Sequence, residues 1–248
     1  MPTRTADKAI YRKVIDTARH RLNTRSTAIE CLDIGAGRGE LLEMLQKTMH
    51  VVPRACDYHP ERFMLDSVRI DKVDLNAAPL PYADNSFDLV TCSEVIEHIE
   101  NYRAMFREVF RVLKPRGLAI FTTPNVINMK SRVRFLVSGF FNLFGPLPVR
   151  NNRTTSTGSH ITPIPAFYLG HGLLDAGFSD LCFETDKAQQ TSLLWLIVGW
   201  PLVAIGWLAF VYQEKRRGKL TDINRPLVNT HASFSLLLGR TVIVSARR

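Results

Sequence analysis

The spacing of apolar and polar positions changes several times along the chain, and each change marks an element. Between residues 7 and 23, Ala9, Ile10, Val14, Ile15, Ala18 and Leu22 recur near helical spacing among basic residues, which predicts a basic amphipathic helix. Ile29 to Ile34 is a short apolar run ending in glycines, as expected of a buried strand, and Leu41, Leu42 and Leu45 continue as a helix. Val51 to Cys56 predicts a second strand, and Asp57-Tyr58-His59-Pro60 a turn before another helix. A short strand follows around Val73, a fourth from Phe87 to Cys92, and a helix from Tyr102 to Leu113 that stops at Lys114-Pro115-Arg116-Gly117. Leu118 to Thr122 is a fifth strand closed by Pro124, and Leu181 to Phe183 and Thr241 to Ser245 are two more. Strands alternating with helices at this spacing predict an α/β domain with a parallel sheet covered on both faces, a doubly wound arrangement.

Two stretches exceed what such a domain requires. Val126 to Arg153 combines Phe135, Leu136, Phe140, Phe141, Leu143 and Phe144 with five basic residues and no acidic one. Leu193 to Tyr212 is twenty residues without a charge, LLWLIVGWPLVAIGWLAFVY. The reading is a single domain over 1–248, with an apolar and basic cap at 126–153 and an apolar hairpin at 186–232, between the sixth and seventh strands.

Composition narrows the class. The 248 residues are 46% hydrophobic and 22% charged, which is ordinary for a globular protein. A net charge of +9 fits nucleic acid or the cytoplasmic face of an anionic membrane. The first 25 residues hold no apolar core of the kind a signal peptide needs, so a cytoplasmic location is expected. Cys31, Cys56, Cys92 and Cys182 form no CxxC pair and each falls in a strand-like run, which predicts small buried residues in a reducing compartment.

Asp33-Ile34-Gly35-Ala36-Gly37-Arg38-Gly39 follows the first strand and opens a helix, so the backbone can approach a ligand closely there. The dinucleotide pattern G-x-G-x-x-G is not completed, since Glu40 stands in the sixth position, and no G-K-[ST] of a P-loop is present. A carboxylate before the glycines, Asp33, repels pyrophosphate and suits a cationic or amino-bearing ligand. Asp57 ends the second strand, where an acid accepts hydrogen bonds from both hydroxyls of a ribose. Asp74 ends the next strand, within reach of an adenine amino group.

Together the segments CLDIGAGRGELL, ACDYHPERF, VDLNAAPLPYADNSFDLV, TCSEVIEHIEN, FREVFRVLKPRGLAIFTTPN and LLDAGF resemble the class I S-adenosylmethionine-dependent methyltransferases. The likeness covers about residues 29–185 and the last strand. It is strongest to the branch containing ubiquinone-biosynthesis O-methyltransferases and bacterial glycan methyltransferases. It implies a seven-stranded sheet whose last strand is antiparallel and lies between the fifth and sixth. It further implies that Asp33, Gly35, Ala36 and Gly37 hold the methionine part of S-adenosyl-L-methionine and Asp57 the ribose. Tyr58 would pack on the adenine, Asp74 and Leu75 meet its edge, and Ser93 lie beneath the sulfonium.

Methyl transfer from a sulfonium needs alignment of the acceptor and, for a hydroxyl, a base. His98, in Glu94-Val95-Ile96-Glu97-His98 at the end of the fourth strand, is the candidate base, with a structural role in the loop as the alternative. A divalent metal held by Glu94, Glu97, His98 and His160 is a further possibility, since a similar E-x-x-E-H pattern with a distant histidine binds metal in small-RNA 2′-O-methyltransferases.

Residues 193–212 meet the length of a membrane span, but the strands on either side must return to one sheet. Gly199-Trp200-Pro201 therefore predicts two short helices that dip into a bilayer and return, with Trp195, Trp200 and Trp207 at the headgroups and Lys215, Arg216, Arg217 and Lys219 behind them. Packing on protein is the competing explanation. The combined expectation is O-methylation of a membrane-associated small molecule, a lipid-linked sugar or a prenylated phenol, by an enzyme at the inner face of the membrane. An RNA methyltransferase is the alternative, but the basic residues flank apolar runs rather than interleaving with exposed aromatics along a groove, which disfavours nucleic acid.

Overall fold

The computed structural model describes residues 5–22, 28–147 and 159–248; residues 148–153 of the expected cap lie outside the described residues. In chain order the strands are β1 (Ile29–Ile34), β2 (Val51–Asp57), β3 (Ile70–Lys72), β4 (Phe87–Ser93), β5 (Leu113–Pro124), β6 (Ser179–Thr185) and β7 (Thr241–Arg247). They form one sheet in the order β3-β2-β1-β4-β5-β7-β6. β7 runs antiparallel to both β5 and β6, and the other paired strands are parallel. This is the seven-stranded, doubly wound α/β architecture expected from the sequence.

The continuous apolar runs follow from burial on both faces. Cys31, Leu89, Leu118 and Ile120 pack with α1 (Thr5–Arg21) and α2 (Glu40–Thr48) on one side. Leu32, Val90, Ala119 and Phe121 pack on the other with α3 (Tyr102–Val112) and α5 (Ala166–Asp175). Asn101 caps α3 by accepting the Ala104 N–H, and Phe106 on its buried face meets Phe121 with ring centroids 4.9 Å apart.

The remaining helices stand at the carboxyl edge of the parallel strands. Two buried asparagines fasten them there. The Asn125 side chain donates to the Leu236 and Gly239 carbonyls at 2.7 and 2.9 Å. That of Asn128 donates to Asn125 and Gly239 carbonyls and caps α4 (Met129–Ser138) by accepting from Ser131 N. α6 (Gln190–Arg216) packs on α4 and on α8 (Phe234–Leu238) through Met129, Leu196 and Leu237. α7 (Arg225–Thr230) lies between α6 and α8 in the chain and packs on α5.

Three local expectations are corrected. The region after Pro60 is only a 3₁₀ turn, Pro60–Arg62, because Phe63 and Leu65 turn inward two residues apart, a spacing no helix presents on one face. The 193–212 stretch is one uninterrupted helix, not a hairpin, with Pro201 inside it. Proline removes one ladder hydrogen bond at a cost of about 3 kcal/mol, and twenty-seven residues of helix supply turns on both sides to absorb it. Finally, Cys182 is exposed, whereas Cys31, Cys56 and Cys92 are buried thiols as expected.

Candidate active site

The strand order reverses between β1 and β4, and their carboxyl ends part there to leave a crevice. The glycine turn after β1 forms one wall. Gly35 and Ala36 donate to the Cys56 carbonyl, and Gly35, Gly37 and Gly39 all have positive φ, at 71°, 55° and 88°. A methyl group on Gly35 would lie 2.3 Å from Val95 Cγ2, so the turn and the loop after β4 touch only because this residue lacks a side chain. Around Gly37 the space is open, and its bare backbone lines the crevice.

The crevice is a cavity of about 230 Å³. The structure brings Gly35, Gly37, Asp57, Tyr58, Asp74, Leu75 and His98 onto its wall. Both Asp57 oxygens are oriented by backbone, Oδ2 accepting from Gly37 N at 2.8 Å and Oδ1 from His59 N at 2.7 Å. Asp74 Oδ1 accepts from Asn76 N at 3.0 Å.

Asp33, Ala36 and Ser93 do not reach that wall. Asp33 is 3% exposed, and its register opposite Thr91 lets the threonine hydroxyl donate to Oδ1 at 2.7 Å. Burial pushes the Asp33 carboxyl up to about 7, against the lowering effect of Thr91 and with a smaller push from Asp57. The Ser93 hydroxyl is buried.

On the opposite wall, Glu94 holds a left-handed φ of 55°. Thr122 secures it on both sides, its hydroxyl accepting from Glu94 N and donating to Oε1, both at 3.0 Å. The next turn, Ile96–His98, presents Glu97 and His98, and the Glu97 carbonyl accepts from Ile161 and Thr162 N–H. This draws His160 in beside His98, ring centroids 4.9 Å apart. One ligand atom each from Glu97, His98 and His160 lies within 4.8 Å of the others. Glu97 is fully buried with no hydrogen-bond partner for either oxygen; the Thr123 hydroxyl favours its charge without reaching hydrogen-bond geometry. Burial, reinforced by Glu94, holds its carboxyl well above the ordinary value. Burial and the His98 charge lower that of His160. Glu94 faces Thr122 and stands outside the trio.

His98 Nδ1 lies 2.8 Å from the Ser159 carbonyl. A carbonyl only accepts, so in the neutral ring Nδ1 bears the proton and Nε2 is the basic nitrogen. Sequence reasoning missed Thr91, Thr122, Val95 and Asn76, all of which act by orienting others. Only the pairing register could have pointed to the two threonines.

Residues 32–121 match the family profile described as a methyltransferase domain. A Mycobacterium tuberculosis protein described as a probable S-adenosylmethionine-dependent methyltransferase is 30% identical over 65% of this chain and 53% of its own. A ubiquinone biosynthesis O-methyltransferase of Neisseria meningitidis is 28% identical over 45% of this chain and 50% of its own. The chain thus spans about half the length of the curated relatives it matches. A crystal structure of a SAM-dependent methyltransferase from Archaeoglobus fulgidus superposes with a TM-score of 0.58 at 16% identity, covering 96% of this chain and 94% of that one. Residues 32–121 are thus similar to methyltransferase domains, and the fold is the one seen in solved S-adenosylmethionine-dependent methyltransferases.

Two outcomes are expected in calorimetric titration with S-adenosylmethionine. Gly37→Ala costs about 1 kcal/mol of stability for its positive φ yet lowers affinity at least about tenfold, because its methyl stands in the cavity; Gly35→Ala loses stability as well. Affinity also declines as pH falls through about 7, where Asp33 takes up a proton and its negative charge is lost. The Asp33→Asn variant, having nothing to titrate there, shows a flat profile over the same range.

Proposed function

We propose that this protein transfers a methyl group from S-adenosyl-L-methionine to a hydroxyl of a membrane-associated acceptor, such as a lipid-linked sugar or a prenylated phenol, with His98 as the base. The cofactor, when bound, supplies a methyl already activated by the sulfonium charge. The chain's own groups then align and deprotonate. Asp57 and Asp74 offer oriented carboxylate oxygens to the ribose and the adenine edge, Tyr58 its ring, and the glycine turn with Asp33 behind it a negative setting for the methionine end. His98 Nε2 accepts the hydroxyl proton as the acceptor oxygen forms its bond to the methyl carbon and the sulfur–methyl bond breaks.

The membrane part of the reading rests on one observation, the surface of α6. Of its 27 residues only Ser192 and Leu196 are buried, and its best window has a mean hydropathy of 2.1. Leu194, Ile197, Val198, Leu202, Ile205 and Leu208 are each more than half exposed. Left in water, each forfeits roughly 1–2 kcal/mol of burial, a sum comparable with the net stability of a domain. A basic cluster, Lys215, Arg216, Arg217 and Lys219, follows at once, as at an anionic lipid surface. β6 and β7 belong to one sheet and residues 217–224 are largely polar, so the helix lies along the bilayer rather than across it. The relative named for ubiquinone biosynthesis lends weight to a prenylated phenol as acceptor.

Glu97 supports a second reading that excludes His98 as the base, a divalent cation held by Glu97, His98 and His160, in which His98 Nε2 would be a ligand and the cation would acidify the acceptor hydroxyl. A buried carboxyl without hydrogen-bond partners is costly unless neutral or coordinated, and two imidazoles with one carboxylate suit zinc-like transition metals better than magnesium.

Membranes and RNA incubated with the protein and radiolabelled S-adenosylmethionine test the reading: label enters the lipid extract, whereas label in RNA selects the alternative. His98→Ala lowers the transfer rate by about 10²–10⁴-fold and leaves cofactor affinity nearly unchanged. EDTA treatment followed by metal add-back decides the cation, because undiminished activity after chelation removes it. Separately, Ile205→Asp combined with Leu208→Asp abolishes co-flotation with vesicles containing phosphatidylglycerol while the fold persists. Unchanged flotation would sink the membrane assignment.

A further inference from the structure

Two cavities meet beneath α6, apart from the cofactor crevice. One, about 450 Å³, is walled by apolar side chains of α4 and α6, among them Met129, Val133, Leu136, Val198 and Leu202. The other, about 760 Å³, is bounded by α5, α6 and α7 and carries Arg103, His171, Lys219 and Asn224. Arg132, Trp207, Phe210 and His231 line both and form the seam.

Arg132 is out of place at such a seam. Its guanidinium donates to the Ile127 carbonyl at 2.7 Å and the His231 carbonyl at 3.3 Å, and among the described residues no carboxylate forms an ion pair with it. Burial alone lowers its pKa, a sign that nothing nearby balances its charge. The acid on the rim, Glu214, is engaged by Arg217 at 2.9 Å. Arg103 is partly satisfied by Asp175 at 3.8 Å, while Lys219 adds a second cation with no ion pair among the described residues. A half-buried cation beside an apolar chamber is stabilised by an anion that arrives with an apolar body attached.

We infer that the seam binds an amphiphile with a phosphate-type headgroup, the phosphate on Arg132 and Lys219, and its apolar chain in the chamber between α4 and α6. The polar remainder of the headgroup faces Arg103, His171 and Asn224. This deepens the proposed function, on which it rests for the source of the ligand, by giving the membrane-associated acceptor or its lipid carrier a phosphate. Free phosphate offers the same anion, but the apolar chamber discriminates in favour of the lipid.

The test is calorimetric titration of the full chain with dioctanoyl phosphatidic acid below its micellar concentration, with inorganic phosphate and dioctanoylglycerol as separate arms. Phosphatidic acid binds, and each other arm is weaker by at least about tenfold. Arg132→Gln reduces phosphatidic acid affinity about tenfold or more, and Lys219→Gln about threefold. Both variants keep the affinity for S-adenosylmethionine. Because Arg132 also supports two carbonyls, Lys219→Gln decides the matter if Arg132→Gln does not fold. Wild-type affinity for phosphatidic acid in the folded variants, or equal binding of dioctanoylglycerol, would overturn the inference. Equally tight inorganic phosphate would reduce the seam to a free-anion site and overturn the lipid assignment. Vesicle flotation of the unsubstituted protein separates the two ideas. Flotation without phosphatidic acid binding defeats this site alone, and phosphatidic acid binding without flotation defeats only the membrane docking of α6.

Discussion

Both faces of the central strands must be covered, and that constraint fixes where this molecule can work. Cys31 and Leu32, Leu89 and Val90, Ile120 and Phe121 are buried on alternate sides, so helices occupy each face. Ligands can then enter only at the edge where the parallel strands end, and the reversal of order between β1 and β4 opens it. Everything else adapts to that opening. The glycine turn can approach Val95 because Gly35 has no side chain, and the buried hydroxyls of Thr91 and Thr122 each orient a carboxylate, Asp33 and Glu94. Asn125 and Asn128 extend the edge outward and seat the apolar helices on it.

Much of this was legible in the sequence because it depends on local rules. Strands with no polar alternation announce a doubly covered sheet, and glycines directly after the first of them announce a close backbone turn. Asp57 and Asp74 reach the cavity wall because one ends β2 and the other follows β3 closely, positions that the alternation of strands and helices makes readable. Asp33 was harder. Its position at the end of β1 is readable, but whether its carboxylate faces ligand or neighbour depends on the register with Thr91, which no single segment encodes. Spacing likewise could not show that Glu97 is the buried acid and Glu94 the one on the crevice wall.

The α6 region failed for a different reason. Proline is a strong local signal for a break, and Gly199-Trp200-Pro201 reads as one. The helix continues because its length and the packing of Leu196 against Met129 and Leu237 outweigh one missing hydrogen bond. The helix expected after Pro60 failed in the opposite sense, since Phe63 and Leu65 are drawn individually into the core beside α2. Propensity set the expectation in each case, and tertiary packing decided the outcome.

The antiparallel strand β7 also imposes an order in time. It lies between β5 and β6, yet it is synthesised after both and after α6. While the ribosome is still translating α7 and α8, β5 and β6 have no strand to join them, and the asparagine clasp to Gly239 has no partner. An apolar helix of 27 residues is therefore offered to its surroundings before the sheet that should anchor it is finished. Incomplete chains that expose apolar surface in this way are prone to association, which is the physical reason chaperones shield them, and closure of the sheet can only follow synthesis of β7.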